Sequence, residues 1–236
     1  SVHVFSIQRA TIFNYRKDTS YRGQAEFHGT NPVDGALITY LLGPGEGAAT
    51  LRITNSSGRL VQELTVPSEA GVHRVNWDLR HGRSDGPRVW TRHDDSELAR
   101  PIGTNGPWVS PGTYSVTLEA RGATFTQTVE VRGDPLLSNT QAMYEERELY
   151  LLELLAVEGR INEARPDLQC GRNTDLSEDD ADLCQIQRQA RQLVDALEGQ
   201  AVRPGSLHPP TPEHIRRKTA IEDRLDRILS STRDDR

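Results

Sequence analysis

The chain has 236 residues, 28 Lys and Arg against 34 Asp and Glu, a formal net charge of -6, 35% hydrophobic residues and a mean hydropathy of -0.63. That balance leaves no basic stripe to carry a nucleic-acid footprint. No apolar run approaches the roughly 18 residues of a membrane span, so no transmembrane segment is expected. Residues 1–138 carry 14 basic and 14 acidic side chains and residues 139–236 carry 14 and 20, so the net charge belongs to the second part. Such a chain is long enough to bury a core, and its low apolar content favours a modest β domain with a polar, helical appendage.

In chain order, Val2-His3-Val4-Phe5-Ser6-Ile7 alternates like an edge strand, and Thr11-Ile12-Phe13-Asn14-Tyr15 continues it. Residues 1–30 are read as an N-terminal arm. Short alternating runs follow, each bounded by Gly, Pro, Asn or Ser: Ala36–Leu42, Thr50–Thr54, Leu60–Val66, a fourth with Val72, Val75, Trp77 and Leu79, then Thr113–Arg121 and Thr124–Arg132. This pattern predicts an antiparallel β-sandwich over residues 31–135, with Trp77 in the core and with Phe125, Val129 and Val131 facing inward. Gly58 suits the hairpin turn Asn55-Ser56-Ser57-Gly58. The connection from His81 to Ser110 shows neither strand nor helix patterning and is long for a compact domain.

At Gly133-Asp134-Pro135 the spacing turns helical, and residues 136–236 are read as a helical tail. In its first helix Met143, Leu149, Leu152, Leu155 and Ala156 can share a face. Ser177 precedes Glu178-Asp179-Asp180 as an N-cap precedes an acidic first turn. That second helix runs through Leu183, Ile186, Ala190, Leu193, Val194 and Leu197. A Pro-rich link leads to a third with Ile215, Ile221, Leu225, Ile228 and Leu229. The two cysteines, Cys170 and Cys184, flank an irregular acidic segment and are the candidate disulfide. An isolated pair of this kind points to an exported protein, periplasmic or at the cell surface. The chain opens on Ser1 without a basic-then-apolar leader, which leaves a removed signal segment and a mid-protein start both open.

Taken together, Asn31-Pro32, Gly35-Ala36, Ile38, Tyr40-Leu41, the Gly58 turn, Trp77-Asp78-Leu79-Arg80, Pro111-Gly112-Thr113-Tyr114 and Asp134-Pro135 occur in an order that resembles the C-terminal region of exported bacterial sortilin-type β-propeller proteins, often labelled glycosyl-hydrolase-like. The resemblance covers roughly residues 27–200. It implies an immunoglobulin-like sandwich, similar to that of flagellar hook-capping proteins, followed by a helical tail. The propeller, where a sugar-processing site of that class would lie, is absent from this chain.

Candidate chemistry is sparse. Asp94 and Asp95 are adjacent and Asp78 ends a strand, whereas glycoside hydrolysis needs two carboxylates facing each other across a cleft. His81, His93 and Asp94 lack the fixed spacing of a metal site, and the acidic run from Asp175 to Asp182 lacks the order of a calcium loop. Ser56 is not in a nucleophile elbow. Asn55-Ser56-Ser57 matches a glycosylation acceptor, yet the hairpin turn explains it. No Gly-rich phosphate loop precedes a helix, so no cofactor is expected and the chain is read as not an enzyme. Binding is the better expectation: Trp90 and Trp108 in the long loop, with Phe5, Phe13 and Tyr15 in the arm, are the candidate interface residues. The reading is a non-catalytic structural subunit bracing other protein subunits in an exported and membrane-associated assembly. The rival readings are a carbohydrate-binding accessory module or a C-terminal fragment of a propeller protein. A narrower expectation, carried by neither composition nor spacing, is an accessory subunit of a photosynthetic reaction centre with its light-harvesting ring.

Overall fold

Where apolar and polar residues alternate, a strand can bury one face and solvate the other, and this rule builds most of the first 140 residues. The computed structural model describes residues 2–13, 35–82, 88–89, 106–171, 176–200 and 203–234. Its strands are β1 (Val2–Val4), β2 (Ala10–Thr11), β3 (Ala36–Leu42), β4 (Ala49–Thr54), β5 (Leu60–Val66), β6 (Gly71–Trp77), β7 (Arg88–Val89), β8 (Gly112–Ala120) and β9 (Ala123–Arg132). The helices α1 (Gln141–Ala164), α2 (Glu178–Glu198) and α3 (Pro212–Asp234) follow, with the short strands β10 (Gly199–Gln200) and β11 (Arg203–Pro204) paired between the last two. The chain is thus a mixed β and α protein, dividing into compact units at residues 141 and 142.

In the first unit one sheet has the order β1-β3-β6 and the other β2-β9-β8-β4-β5-β7, and one of the two curls into a half-barrel. Ile38, Tyr40 and Leu42 from β3, Val75 and Trp77 from β6, Leu51 and Ile53 from β4, and Val116 and Leu118 from β8 are all buried. The rings of Trp77 and Tyr114 meet edge-on across the sheets with centroids 5.3 Å apart. Each large side chain removed from water in this way stabilises the fold by roughly 1.5–3 kcal/mol.

Several details differ from the sequence reading. Among the described residues the arm supplies the two short strands β1 and β2, and β2 runs parallel to β9 rather than extending β1. Between Ile53 and Thr54 the ladder shifts, so Val61 is an extra residue and Gln62 takes the inward position opposite Ile53. Phe125 has the inward parity of Val129 and Val131 but remains exposed; among the described residues the short β1 lies beside that end of β9, with His3 against its ring. Val72 points outward, and Leu79 falls beyond β6 with φ 57°. Asn55 is occupied by its turn: its Oδ1 accepts from the Ser57 and Arg59 amides at 3.1 and 2.9 Å.

The helical unit has its own core of Leu151, Leu154 and Ile161 from α1, Leu183, Ile186 and Leu193 from α2, and Ile221 and Leu225 from α3. Ser177 caps α2, its hydroxyl accepting from the Asp180 amide, and Thr211 caps α3, accepting from the His214 amide with Pro212 in the first turn. The face of α1 expected to pack is the wrong one. Tyr144, Arg147, Leu151, Leu154, Val157 and Ile161 point inward, while Leu149 and Ala156 are exposed. Because α1 is apolar on two sides, its spacing alone does not choose between them.

Cys170 and Cys184 form a disulfide, Cα to Cα 5.4 Å, tying the segment after α1 to the second turn of α2. Thiol labelling of the denatured, unreduced chain should find no reactive cysteine, and reduction should cost about 3 kcal/mol of stability, the value for a loop of about 15 residues. Two labelled thiols would contradict the pairing.

A second prediction comes from the contact of α1 with α2, where Arg191 donates to Glu158 at 2.8 Å and Asp195 lies near both. Burial, aided by Glu158 and opposed by Arg191, holds the Asp195 carboxyl above the usual carboxylate range. An acid whose folded pKa is raised costs stability once it ionises, so the penalty grows as pH rises through that pKa. Asp195→Asn should therefore raise the urea midpoint at neutral pH, and the gain should shrink toward zero as pH falls below the carboxylate range. A gain that grows in acid would contradict this assignment.

Candidate interaction site at the base of the long loop

The chain leaves β6 at Trp77 and returns to β8 at Gly112, and the two ends of this excursion are joined. Leu79 carries the left-handed φ, a conformation that is an outlier for a bulky L-residue and persists only where its surroundings enforce it. Here Leu79 is buried and its carbonyl accepts from the Val109 amide at 2.9 Å. The His81 amide then donates to the Pro107 carbonyl, and the Gly106 amide to the His81 carbonyl, both at 2.9 Å. Arg80 and Trp108 thereby face each other as an antiparallel bridge.

Side chains complete the clasp. The Arg80 guanidinium carbon lies 3.9 Å from the centroid of the Trp108 ring, a cation–π contact contributing ~0.5–2 kcal/mol depending on its solvation. The same guanidinium donates from Nη1 to the Gly106 carbonyl at 3.1 Å, and the buried Trp77 indole donates from Nε1 to the Arg80 carbonyl at 3.0 Å. A Cβ at Gly106 would sit 2.7 Å from the His81 carbonyl oxygen, so the close approach requires glycine. Gly82 ties the clasp to β5 through its amide and the Val61 carbonyl at 2.8 Å.

No family model, curated protein or solved structure matches this chain. The likeness to propeller-protein modules therefore rests on the motifs quoted for it.

Of the candidate interface residues, Trp108 sits in this clasp, partly buried, with its ring orientation fixed by Arg80. Phe5 and Phe13 are 40% and 37% exposed and occupy other places, Phe5 just beyond β1 against the His3 ring and Phe13 just beyond β2. Trp90 and Tyr15 lie outside the described residues, as do His93, Asp94 and Asp95. His81 is buried in the clasp. Among the described residues no group of three or more His, Cys, Asp or Glu is placed to hold a metal ion. The sequence reading missed Arg80 as the partner of Trp108. Its only signal was membership of the Trp77-Asp78-Leu79-Arg80 motif, since the pairing depends on the backbone reversal at Leu79.

Proposed function

We propose that this chain is a non-catalytic structural subunit: an immunoglobulin-like sandwich with a helical tail that braces a larger exported assembly by binding other protein subunits. The observation that carries this reading is the orientation of Trp108 by Arg80 over a strained, hydrogen-bonded base, since a large ring held in one orientation loses little freedom on binding. The sandwich assignment is supported by the buried Trp77 and by the Tyr114 hydroxyl, which donates to the Ser110 carbonyl four residues upstream at 2.7 Å, as in the tyrosine corner of such folds. The Cys170–Cys184 bridge supports an oxidising location, periplasmic or cell-surface. A membrane complex is the partner this reading favours, a photosynthetic reaction centre being its narrowest form.

The test is isolation of the chain from its source under mild detergent. It should travel with other subunits in fixed stoichiometry, and Trp108→Ala should release it while lowering its stability by no more than about 2 kcal/mol, the upper range of the lost cation–π contact. Recovery only as a free chain, or turnover of a glycan or peptide by the purified protein, would overturn the reading. The same partly exposed indole favours one alternative, a carbohydrate-binding accessory module. Glycan-array binding abolished by Trp108→Ala would decide for it.

A further inference from the structure

The strand register gathers three connections at one end of the first unit. Leu42 of β3 faces Gly71 of β6, and Ala49 of β4 faces Val66 of β5 on one side and Ala120 of β8 on the other. The β3–β4 link, the β5–β6 link and the turn Arg121-Gly122 between β8 and β9 therefore meet there. The Trp108 clasp lies at the other ends of these strands, beyond Trp77 and before Gly112. Side chains hold the β5–β6 link at consecutive carbonyls. Pro67 accepts from the Tyr40 hydroxyl at 2.7 Å, Ser68 from Arg121 Nη2 at 2.7 Å, and Glu69 from His73 Nε2 at 2.9 Å.

Arg121 suits neither its turn nor its surroundings. With φ 55° at Arg121 and 74° at Gly122 the turn has positive φ at both positions, a geometry that favours Asn or Asp before the glycine. The guanidinium is tucked against the main chain of Gly45, where an added Cβ would lie 3.2 Å from Arg121 Cδ and 3.4 Å from Nε. Nε and Nη1 are buried and meet no acceptor among the described residues. No carboxylate of the described residues pairs with this side chain either; Glu119, two positions back, reaches Arg52 instead, at 3.4 Å. Burying a cation without acceptors is costly. A residue held at a strained φ and left short of partners departs from both local rules, as residues kept for binding do.

We propose that Arg121 is the anion-binding residue of a site between these connections, and that its ligand is a single oxyanion, a carboxylate or a phosphate group. The planar N–H array of a guanidinium matches the oxygens of either. The Ser68 carbonyl fixes Nη2, so the ring of donors is already oriented before a ligand arrives. Gly45, exposed and without a side chain, is the part that moves aside to admit the ligand to Nε and Nη1. This site is distinct from the Trp108 clasp and does not rest on the function proposed there.

Equilibrium urea unfolding of the full chain in sodium phosphate, sodium acetate and sodium chloride, at matched ionic strength and neutral pH, tests the proposal. The midpoint of the parent should rise with phosphate or acetate over chloride and level off with concentration, as site binding requires. A rise with phosphate alone assigns a phosphate ligand, and a rise with acetate alone a carboxylate. Arg121→Lys keeps the charge but not the planar array and should need about tenfold more of the same anion. Arg121→Asn should lose the response. In chloride the same variant should unfold at higher urea than the parent, because asparagine suits the turn and removes a buried charge. A midpoint that responds to the anions equally in the parent and in Arg121→Asn, or in neither, overturns the proposal. So does a lower midpoint for Arg121→Asn in chloride, which would make Arg121 a residue of the fold and not of a site.

Discussion

Trp77→Ala should lower the free energy of unfolding by roughly 3–5 kcal/mol, the range for deleting a large buried aromatic. The indole is fully buried, meets the Tyr114 ring, and donates to the Arg80 carbonyl. Truncation would leave a cavity between the sheets and also leave that carbonyl without its donor. The second loss falls on the Trp108 clasp, so Trp77→Phe, which restores most of the volume but not the N–H, should still cost about 1 kcal/mol. Equilibrium urea unfolding with an unchanged slope is the measurement. A change in midpoint worth under about 1 kcal/mol for the alanine variant would place the indole outside the core.

Arg147→Ala should cost a similar amount, about 3–5 kcal/mol, by a different route. Its guanidinium is buried on α1 and its acceptors include Glu198 Oε1 at 2.6 Å, the Leu197 carbonyl at 3.2 Å and the Ser206 carbonyl at 2.8 Å. It therefore fastens α1 to the end of α2 and to the link before α3. Removing it takes this donor from the Glu198 carboxylate and the Ser206 carbonyl, while the Leu197 carbonyl still accepts from the Ser206 amide. Lysine is no substitute, because one ammonium cannot reproduce the planar fork. The double variant Arg147→Met with Glu198→Leu should recover much of the loss, since apolar replacements remove the burial cost of both charges. Additive losses in that double variant would show that the two side chains do not act as a pair.

How far these features could be read from the sequence depends on whether they are local. The alternation of Ala36–Leu42 or Gly112–Ala120 is a property of the strand itself, and turn residues such as Asn55 and Gly58 sit where the backbone needs them. The shift at Val61 leaves no trace in composition, because it depends on how β5 aligns with β4. Arg147 looked like one more charge around a helix whose two apolar sides are indistinguishable by period, and only the packing of α2 selects the inner one. Trp108 stood out as a large ring in a long connection. Its partner Arg80 is 28 residues away in sequence, brought near by a backbone reversal that no residue preference announces.

Residue-resolved hydroxyl-radical footprinting tests the structural-subunit reading most directly, because it reports each tryptophan separately. In the free chain Trp108 should oxidise and Trp77 should not. In the assembly isolated from its source, oxidation of Trp108 should fall severalfold while Trp77 stays unreactive. Equal oxidation of Trp108 in the free and assembled states would contradict the account, since the ring that Arg80 holds in place would then meet no partner.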